Sequence, residues 1–335
     1  MPMPLKVAVI GAGLCGLIAA RELERESHEV VVLEKSNRLG GVWVYDPRTE
    51  SDLLGIDPDR EIVHATLYKS LRTNSPRQIM GFSDYKFEGK EYGDPRMFPG
   101  HQEFLSYLED FAEKFGVTKL IRFNSEVTRV EMLDSDNEFV VEWKTSGVMS
   151  RTEMFDAVVV CNGHNSQPRA ALDIPGILEW PKKQLHAHNY RVPEPFQDQV
   201  VVIIGNGSSA YDISRELTTV AKEVHLSSRS PNIKLSKLPK YNNLWQHSKN
   251  YVLPDIKTTF SEFRRRHACH HNDQDGFHHC RHRYRRTNVM NHDSNNRYDQ
   301  PEIVDSGPRE APSPAHAYAH PSDLQEFPLE MNGHN

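Results

Sequence analysis

Two short stretches of this sequence have the glycine spacing that can hold the pyrophosphate of a dinucleotide. The first glycine of such a turn permits a tight bend, the second lets backbone approach the pyrophosphate, and the third lets a helix pack on a strand. The helix that follows points its N-terminus at the phosphates. The residues expected to bind the two nucleotides are Gly11, Ala12, Gly13, Leu14, Cys15 and Gly16, and then Gly205, Asn206, Gly207, Ser208, Ser209 and Ala210.

The residue that follows the next strand distinguishes the two nucleotides. After the first turn it is Glu34, whose carboxylate accepts hydrogen bonds from a ribose diol and repels a 2′-phosphate, which favours FAD. The matching position of the second unit holds Ser228, followed by Arg229. A hydroxyl beside a guanidinium suits the 2′-phosphate of NADPH. The alternative for Arg229 is an ordinary solvated surface charge.

A paired-glycine loop shortly after Glu34 is a second signal for FAD. Gly40 and Gly41 allow close backbone approach to a cofactor, and Arg38 and Trp43 beside them can line the pyrophosphate and the isoalloxazine ring. Taken alone, the pair indicates only a glycine loop. Its position after Glu34 favours FAD binding.

Both turns need a strand–turn–helix–strand unit to place them, and the hydrophobic pattern supplies two. The first has strands at residues 5–10 and 29–33 and a helix at 14–25, and the second begins at Val200. The units form an internal repeat in which Glu29 corresponds to Glu223. Elsewhere we expect a helix at 101–115, strands at 126–132, 139–143 and 155–161, and a linker at 168–195.

The segment 180–191, just before the second turn, carries a motif of the form F-x-G-x-x-x-H-x-x-x-Y. His186 and Tyr190 match it, and Trp180 stands at the aromatic position. Lys182 replaces the glycine, which adds strain if that turn needs a positive φ.

Together with the two turns, this motif makes about residues 1–250 resemble the flavin-containing monooxygenases. The segment 73–85 is similar to the family's flavin-proximal stretch, and the segments 227–231 and 243–247 point to the plant branch of glucosinolate S-oxygenases. The resemblance implies that NADPH reduces FAD, that O2 adds at flavin C4a to give a hydroperoxyflavin, and that bound NADP+ shields it from water. A thioether sulfur then attacks the distal oxygen. In this branch a methylthioalkyl glucosinolate becomes a methylsulfinylalkyl glucosinolate.

By the same resemblance, Asn74 lies near flavin C4a and the nicotinamide, where its amide can bond the peroxide. The alternative for Asn74 is a turn residue before Pro76. Such chemistry requires exclusion of water more than placed acids and bases. This agrees with a sequence that has no evident Ser–His–Asp or paired-carboxylate pattern.

Composition restricts the partners and the compartment. The 335 residues carry a net charge of −6, which argues against nucleic acid as a partner. The N-terminus has no signal-peptide pattern, and no stretch reaches the roughly 18 apolar residues of a membrane span, so we expect no membrane anchor. Four scattered cysteines favour a reducing, cytoplasmic compartment.

The alternating pattern stops at about residue 255. Residues 262–335 contain ten of the eighteen histidines and only five Val, Ile and Leu residues. Too little apolar surface can be buried there, so we expect a largely disordered tail. An out-of-frame or mis-spliced C-terminus would give a sequence of this kind. The Cys and His residues lack zinc-finger spacing, so no metal is expected. A basic tail that binds polyanions is an alternative.

We therefore expect an α/β protein with two Rossmann-type domains, of the two-dinucleotide-binding flavoprotein type. The domains are an FAD-binding domain at 1–195, an incomplete NADPH-binding domain at 196–254, and the tail at 255–335. The expected function is an NADPH- and FAD-dependent monooxygenase that S-oxygenates a small thioether with O2.

Three alternatives stay open. The chain could be a catalytically impaired flavoprotein, an oxidative decarboxylase of an indole keto acid, or a flavin disulfide reductase. The last needs a redox cysteine pair beside the flavin. Cys15 and Cys161 have no partner nearby in sequence and are expected to be small buried residues.

Overall fold

The computed structural model describes residues 3–133, 138–145, 149–172, 174, 177–227 and 236–247. All of them belong to one compact unit, Met1–Ser261. Ser228, Arg229 and the tail at 255–335 lie outside the described residues, so what was expected of them stays a prediction. The division of the chain at residues 195 and 254 stays a prediction as well.

The two strand–helix–strand units that the sequence pattern predicts are present, and a run of consecutive strands lies between them. In chain order the helices and strands are β1 (Lys6–Ile10), α1 (Leu14–Arg25), β2 (Glu29–Leu33), α2 (Arg77–Met80), α3 (His101–Lys114), β3 (Ile121–Arg122), β4 (Ser125–Met132), β5 (Phe139–Thr145), β6 (Met149–Phe155), β7 (Ala157–Val160), β8 (Val200–Ile204), α4 (Ser208–Leu217), β9 (Glu223–Ser227), β10 (Ser236–Lys237) and β11 (Leu244–His247). Single 3-10 turns lie at Gly41–Trp43, Val117–Leu120, Ala187–Asn189 and Glu194–Phe196.

The first sheet is parallel, with the strand order β3-β2-β1-β7. The aromatic side chains Phe104, Tyr107 and Phe111 of α3 pack with Leu17 of α1 in the main core. They recur at the spacing of one helix face, which is why α3 can bury that whole side. On the other side, Ala8 and Leu33 pack with Trp143 and Phe155 of the antiparallel sheet β4-β5-β6.

One predicted strand is wrong. The apolar run at 155–161 was expected to be a single strand, but Phe155 ends β6 and Ala157 begins β7, which belongs to another sheet. Asp156 lies at the crossing, where its N–H donates to the Lys6 carbonyl and its carboxylate accepts from the Lys6 N–H at 2.6 Å. A polar residue in an apolar run marks this change of sheet.

The second sheet has the order β10-β11-β9-β8, in which β8, β9 and β11 are parallel. Its outermost strand, β8, leaves alternate apolar side chains exposed: Val200 by 39%, Val202 by 36% and Ile204 by 46%. The core of this sheet lies on the face that α4 covers, where Ile213 and Leu217 pack against Val224 and Leu226.

The segment 186–191 fastens a long loop, residues 46–67, to the rest of the fold. Arg191 is buried, and its guanidinium donates to the carbonyl oxygens of Asp46, Arg48, Ala65, His188 and Tyr190 at 2.6–3.0 Å. Burial is the main cause that lowers the pKa of Arg191.

A second set of contacts fastens the same loop. Asn189 accepts from the Glu50 N–H at 2.9 Å and donates to the Leu53 carbonyl at 3.1 Å. The carboxylate of Glu50 forms a buried ion pair with Arg60 at 3.0 Å. Buried polar groups of this kind fix one arrangement of the loop, because each group has few alternative partners.

No helix among the described residues has the length and apolar character that crossing a membrane requires.

We predict that Arg191→Met destabilises the protein, because the carbonyl oxygens around the guanidinium lose their donor. The free energy of unfolding, measured by urea denaturation, should fall by about 3 kcal/mol. Arg48→Met is the matched control, since its side chain is 68% exposed and pairs with Asp46 at the surface. That change should leave the free energy of unfolding close to the wild-type value, because solvent screens an exposed ion pair. Equal effects of the two changes would contradict the role of segment 186–191.

Candidate functional site

Steric crowding of backbone dictates the glycines of the first turn. A Cβ on Gly16 would lie 1.9 Å from the Gly11 oxygen, and Gly11 itself has φ +101°. Helix α1 begins directly behind this turn at Leu14, and its N-cap, Gly13, offers no side-chain cap. The first N–H groups of α1 therefore have no side chain covering them and suit a phosphate.

Glu34 connects the first turn to the residues after β2. Its carboxylate is buried and accepts from the Ala12 N–H at 2.7 Å and from the Ser36 N–H and hydroxyl at 2.9 and 2.8 Å. A carboxylate has about four acceptor positions, so three bonds leave one for a ribose hydroxyl. This open acceptor position is compatible with the adenosine end of FAD, and the predicted role of Glu34 stays a prediction.

The paired-glycine loop lies against the first turn. The Gly40 N–H donates to the Ala12 carbonyl at 2.9 Å, and a Cβ on Gly41 would lie 2.9 Å from the Gly13 Cα. Trp43 packs on Phe104 of α3 with ring centroids 4.5 Å apart. The two glycine loops therefore meet by close backbone approach, which a side chain at Gly41 would prevent.

Arg38 lies beside the same loop. Its guanidinium pairs with Glu109 of α3 at 3.1 Å, with both side chains about half exposed. An exposed pair of this kind is weak, so the pairing does not prevent the arginine from reaching a ligand. Its predicted role at the pyrophosphate stays a prediction.

The second turn repeats the geometry of the first. The Gly205 N–H donates to the Ser227 carbonyl at 2.9 Å, just as the Gly11 N–H donates to the Leu33 carbonyl at 2.8 Å. Gly205 has φ +141°, and Gly207 is the N-cap of α4 without a side-chain cap. The exposed residues around this turn are Asn206, Gly207, Ser208 and Ser209, with Ala210 half-buried.

The correspondence of the two units holds through Ser227, the last residue of β9. Ser228 and Arg229 follow it outside the described residues. The preference for a 2′-phosphate therefore stays a prediction that depends on these two side chains.

Asn74 is exposed on a segment that is fastened on both sides. The Thr73 N–H donates to the Pro99 carbonyl and the Arg77 N–H to the Met97 carbonyl, both at 2.9 Å. Arg77 is buried and pairs with Glu103 of α3 at 3.3 Å. The amide of Asn74 is thus held on a rigid support but is free to meet a ligand.

The structure corrects the expectation for the two cysteines. Cys15 is exposed rather than buried, and Cys161 is half-buried at the end of β7. Burial raises the pKa of the Cys161 thiol, and the nearby Cys15 raises it further. The end of β7 therefore lies beside the first turn, where the Cys161 Cβ is 3.6 Å from the position that a Cβ on Gly16 would take.

Residues of the motif at 180–191, which indicated the family, also make contacts that stabilise the fold. His186 accepts from the His188 N–H at 3.1 Å, and Tyr190 is almost fully buried. Among the described residues, the positive φ values outside glycine belong to Ser27, Asn124 and Asp198. Lys182 therefore lacks the backbone strain that its replacement of glycine could have caused.

We predict that Gly207→Ala weakens NADPH binding without harming the fold. A Cβ at this position meets no atom within 4 Å, so the protein itself can accommodate it. The methyl group would stand where backbone must approach the pyrophosphate, so the dissociation constant should rise at least about tenfold. Titration calorimetry with NADP+ measures this, and Thr219→Ala, at the other end of α4, is the control. Unchanged affinity would exclude Gly207 from the nucleotide site.

We also predict that Glu34→Gln lowers the amount of bound FAD. The amide of glutamine has one acceptor oxygen, so a buried N–H group loses its partner at a cost of about 1–3 kcal/mol. The ratio of flavin to protein in the purified sample measures the effect. Glu109→Gln, an exposed change at the Arg38 pair, should keep the wild-type ratio. Full retention of flavin by Glu34→Gln would contradict the assignment.

Comparisons with known proteins agree with this geometry. Residues 5–256 match the model of the family described as flavin-binding monooxygenase-like. Flavin-containing monooxygenase FMO GS-OX5 of Arabidopsis thaliana is 55% identical over 249 residues, which are 73% of this chain and 54% of the relative. FMO GS-OX2 of the same plant is 53% identical over 72% of this chain and 53% of its own length.

Solved structures give the same result. The S-allyl-L-cysteine S-oxygenase of Allium sativum has a TM-score of 0.70 and 51% identity over 73% of this chain and 56% of its own. Tmm of Pelagibacter sp. has a TM-score of 0.61 and 30% identity over 72% of this chain and 55% of its own. The chain thus spans about half the length of the curated relatives it matches.

These matches confirm the predicted two-nucleotide flavoprotein fold and the resemblance to the plant S-oxygenase branch. The turn at residues 11–16, the acceptor position left on Glu34 and the paired-glycine loop are the parts of the structure that fit the flavin of such a protein. The chain belongs to the flavin-binding monooxygenase-like family.

Proposed function

We propose that this chain is an FAD- and NADPH-dependent monooxygenase that converts a small thioether into its sulfoxide. In the overall reaction, NADPH, H⁺, O2 and the thioether give NADP+, water and the sulfoxide. The observation that carries the proposal is the pair of equivalent nucleotide turns, each closed by the same N–H to carbonyl bond. Flavin-dependent monooxygenation needs a reduced nicotinamide as electron donor as well as the flavin, and the two turns offer one site for each.

The substrate class is inferred from the relatives. The Allium sativum protein, at 51% identity, is an S-allyl-L-cysteine S-oxygenase by name, and the Arabidopsis relatives carry the GS-OX designation. A thioether sulfur is a soft nucleophile, which suits transfer of an electrophilic oxygen. Within this class we propose methylthioalkyl glucosinolates as substrates and methylsulfinylalkyl glucosinolates as products.

The residues of the chain would divide the work between binding and positioning. The first turn and Glu34 would hold the adenosine end of FAD, and Gly40, Gly41 and Trp43 would line its pyrophosphate and ring. Reduced flavin, when bound, supplies the electrons that activate O2. The amide of Asn74, on its fastened segment, would serve as a hydrogen-bond donor beside the flavin. Such a donor acts without reorganisation because its backbone is already fixed.

The test uses the full chain, purified and supplied with FAD, NADPH and a methylthioalkyl glucosinolate. We expect bound flavin, NADPH oxidation, and one sulfoxide for each NADPH consumed. A colourless protein, or NADPH oxidation that yields only H2O2, would support the catalytically impaired flavoprotein instead. Conversion of an indole keto acid in place of the thioether would support the decarboxylase.

We predict that Asn74→Ala separates NADPH oxidation from oxygen transfer. Bound FAD should be unchanged, but the rate of sulfoxide formation should fall about a hundredfold, as is typical when one donor to a developing charge is lost. The missing oxygen should appear as H2O2, which a peroxidase-coupled assay measures. Gln197→Ala, which removes an exposed amide two residues after the linker, is the control. A wild-type sulfoxide yield in Asn74→Ala would exclude this role.

A further inference from the structure

Two tyrosines from the chain outside the second sheet complete its core. Tyr68 lies six residues before Asn74, and Tyr190 belongs to the motif at 180–191. Both are at most 5% exposed, and they pack with Ile213 and Leu217 of α4. The two rings contact each other edge to face with centroids 5.6 Å apart. The two parts of the fold therefore meet at an apolar contact built around these rings.

Each tyrosine hydroxyl also reaches a carboxylate on α4. Tyr68 donates to Asp212, and Tyr190 donates to Glu216 at 2.6 Å. Asp212 and Glu216 are four residues apart and thus share one face of the helix. Burial, and then the neighbouring carboxylate, raises the pKa of each phenol, so both hydroxyls stay protonated donors.

These bonds connect helix α4, at the second nucleotide turn, with the segment that leads to Asn74. Hydride transfer needs the nicotinamide and the flavin to lie close together, so the relative position of these two elements matters. Helix α4 begins at the second nucleotide turn, so its position sets the position of the nucleotide phosphates. Tyr68 leads into the segment that carries Asn74. The Lys69 N–H donates to the Arg191 carbonyl at 2.9 Å, so the backbones beside the two tyrosines are joined as well.

We propose that Tyr68, Tyr190, Asp212 and Glu216, here called the tyrosine clamp, position the second nucleotide against the flavin-side segment that carries Asn74. The clamp residues touch neither cofactor directly and act through α4, so they are positioning residues. The inference rests on the proposed function, because it assigns the clamp to hydride transfer between the two sites. Two bonds at successive turns of one helix restrain its rotation as well as its distance, which a single bond does not.

The double variant Tyr68→Phe with Tyr190→Phe tests the clamp. It removes both hydrogen bonds but keeps the two rings and their apolar contacts. We expect an unchanged FAD content and an NADP+ affinity within about twofold of wild type. The rate at which NADPH reduces the flavin without O2 should fall on the order of tenfold, because a small misplacement of the reacting atoms slows transfer. Reduction by dithionite, which needs no nucleotide, should be unchanged.

Tyr92→Phe is the matched control. Tyr92 also donates to a carboxylate, that of Asp110 at 2.6 Å, but this bond does not involve α4. It should leave the rate of reduction by NADPH unchanged. A wild-type reduction rate in the double variant would overturn the proposal. A loss of NADP+ affinity with an unchanged reduction rate would overturn it too, since the clamp would then serve binding.

Hydrogen exchange measured by mass spectrometry gives a readout that does not need turnover. The double variant should exchange faster than wild type in α4 and in residues 68–74 together, while Tyr92→Phe should not. If NADPH fails to reduce the wild-type flavin, the proposed function is wrong. Exchange then decides the clamp by itself: coupled faster exchange supports it, and unchanged exchange overturns it.

Discussion

Contact between bare backbone segments at the first turn is the constraint on which the rest of the structure depends. The Gly11 and Gly16 backbones meet with no room for a Cβ, and Gly41 meets Gly13 in the same way. Because these contacts bring the paired-glycine loop onto the turn, they also set where Trp43 packs on α3. The nucleotide site and the aromatic core are thus fixed by the same few glycines, so a side chain here would disturb both.

The sequence predicted the parts of the fold that local pattern determines. Both turns, α1, α3 and the strands beside them follow from hydrophobic period and glycine spacing, and the structure has them. The break at Asp156 was missed because an apolar run does not show that it changes sheet. Cys15 was expected to be buried because cysteine usually is, whereas the start of α1 faces outward at the site.

Contacts between distant segments could not be predicted. Nothing local in the sequence indicates that Arg191 collects carbonyl oxygens from the loop 46–67, or that Tyr190 reaches α4. The signal that was available was the motif at 180–191, which identified the family without saying what its residues do. Its matched tyrosine lies at the junction of the two parts of the fold. A family motif can therefore mark residues that connect two sites, and not only residues that form a site.

The outer strand of the second sheet has a consequence for handling the protein. Among the described residues, β8 is at one end of the strand order, and Val200, Val202 and Ile204 are exposed along it. An apolar strand at a sheet edge can recruit strands from other molecules, and proteins usually protect such edges with charge or proline. None of the five residues of β8 is charged or a proline. Aggregation at high concentration would therefore begin at this strand, which leads directly into the second nucleotide turn.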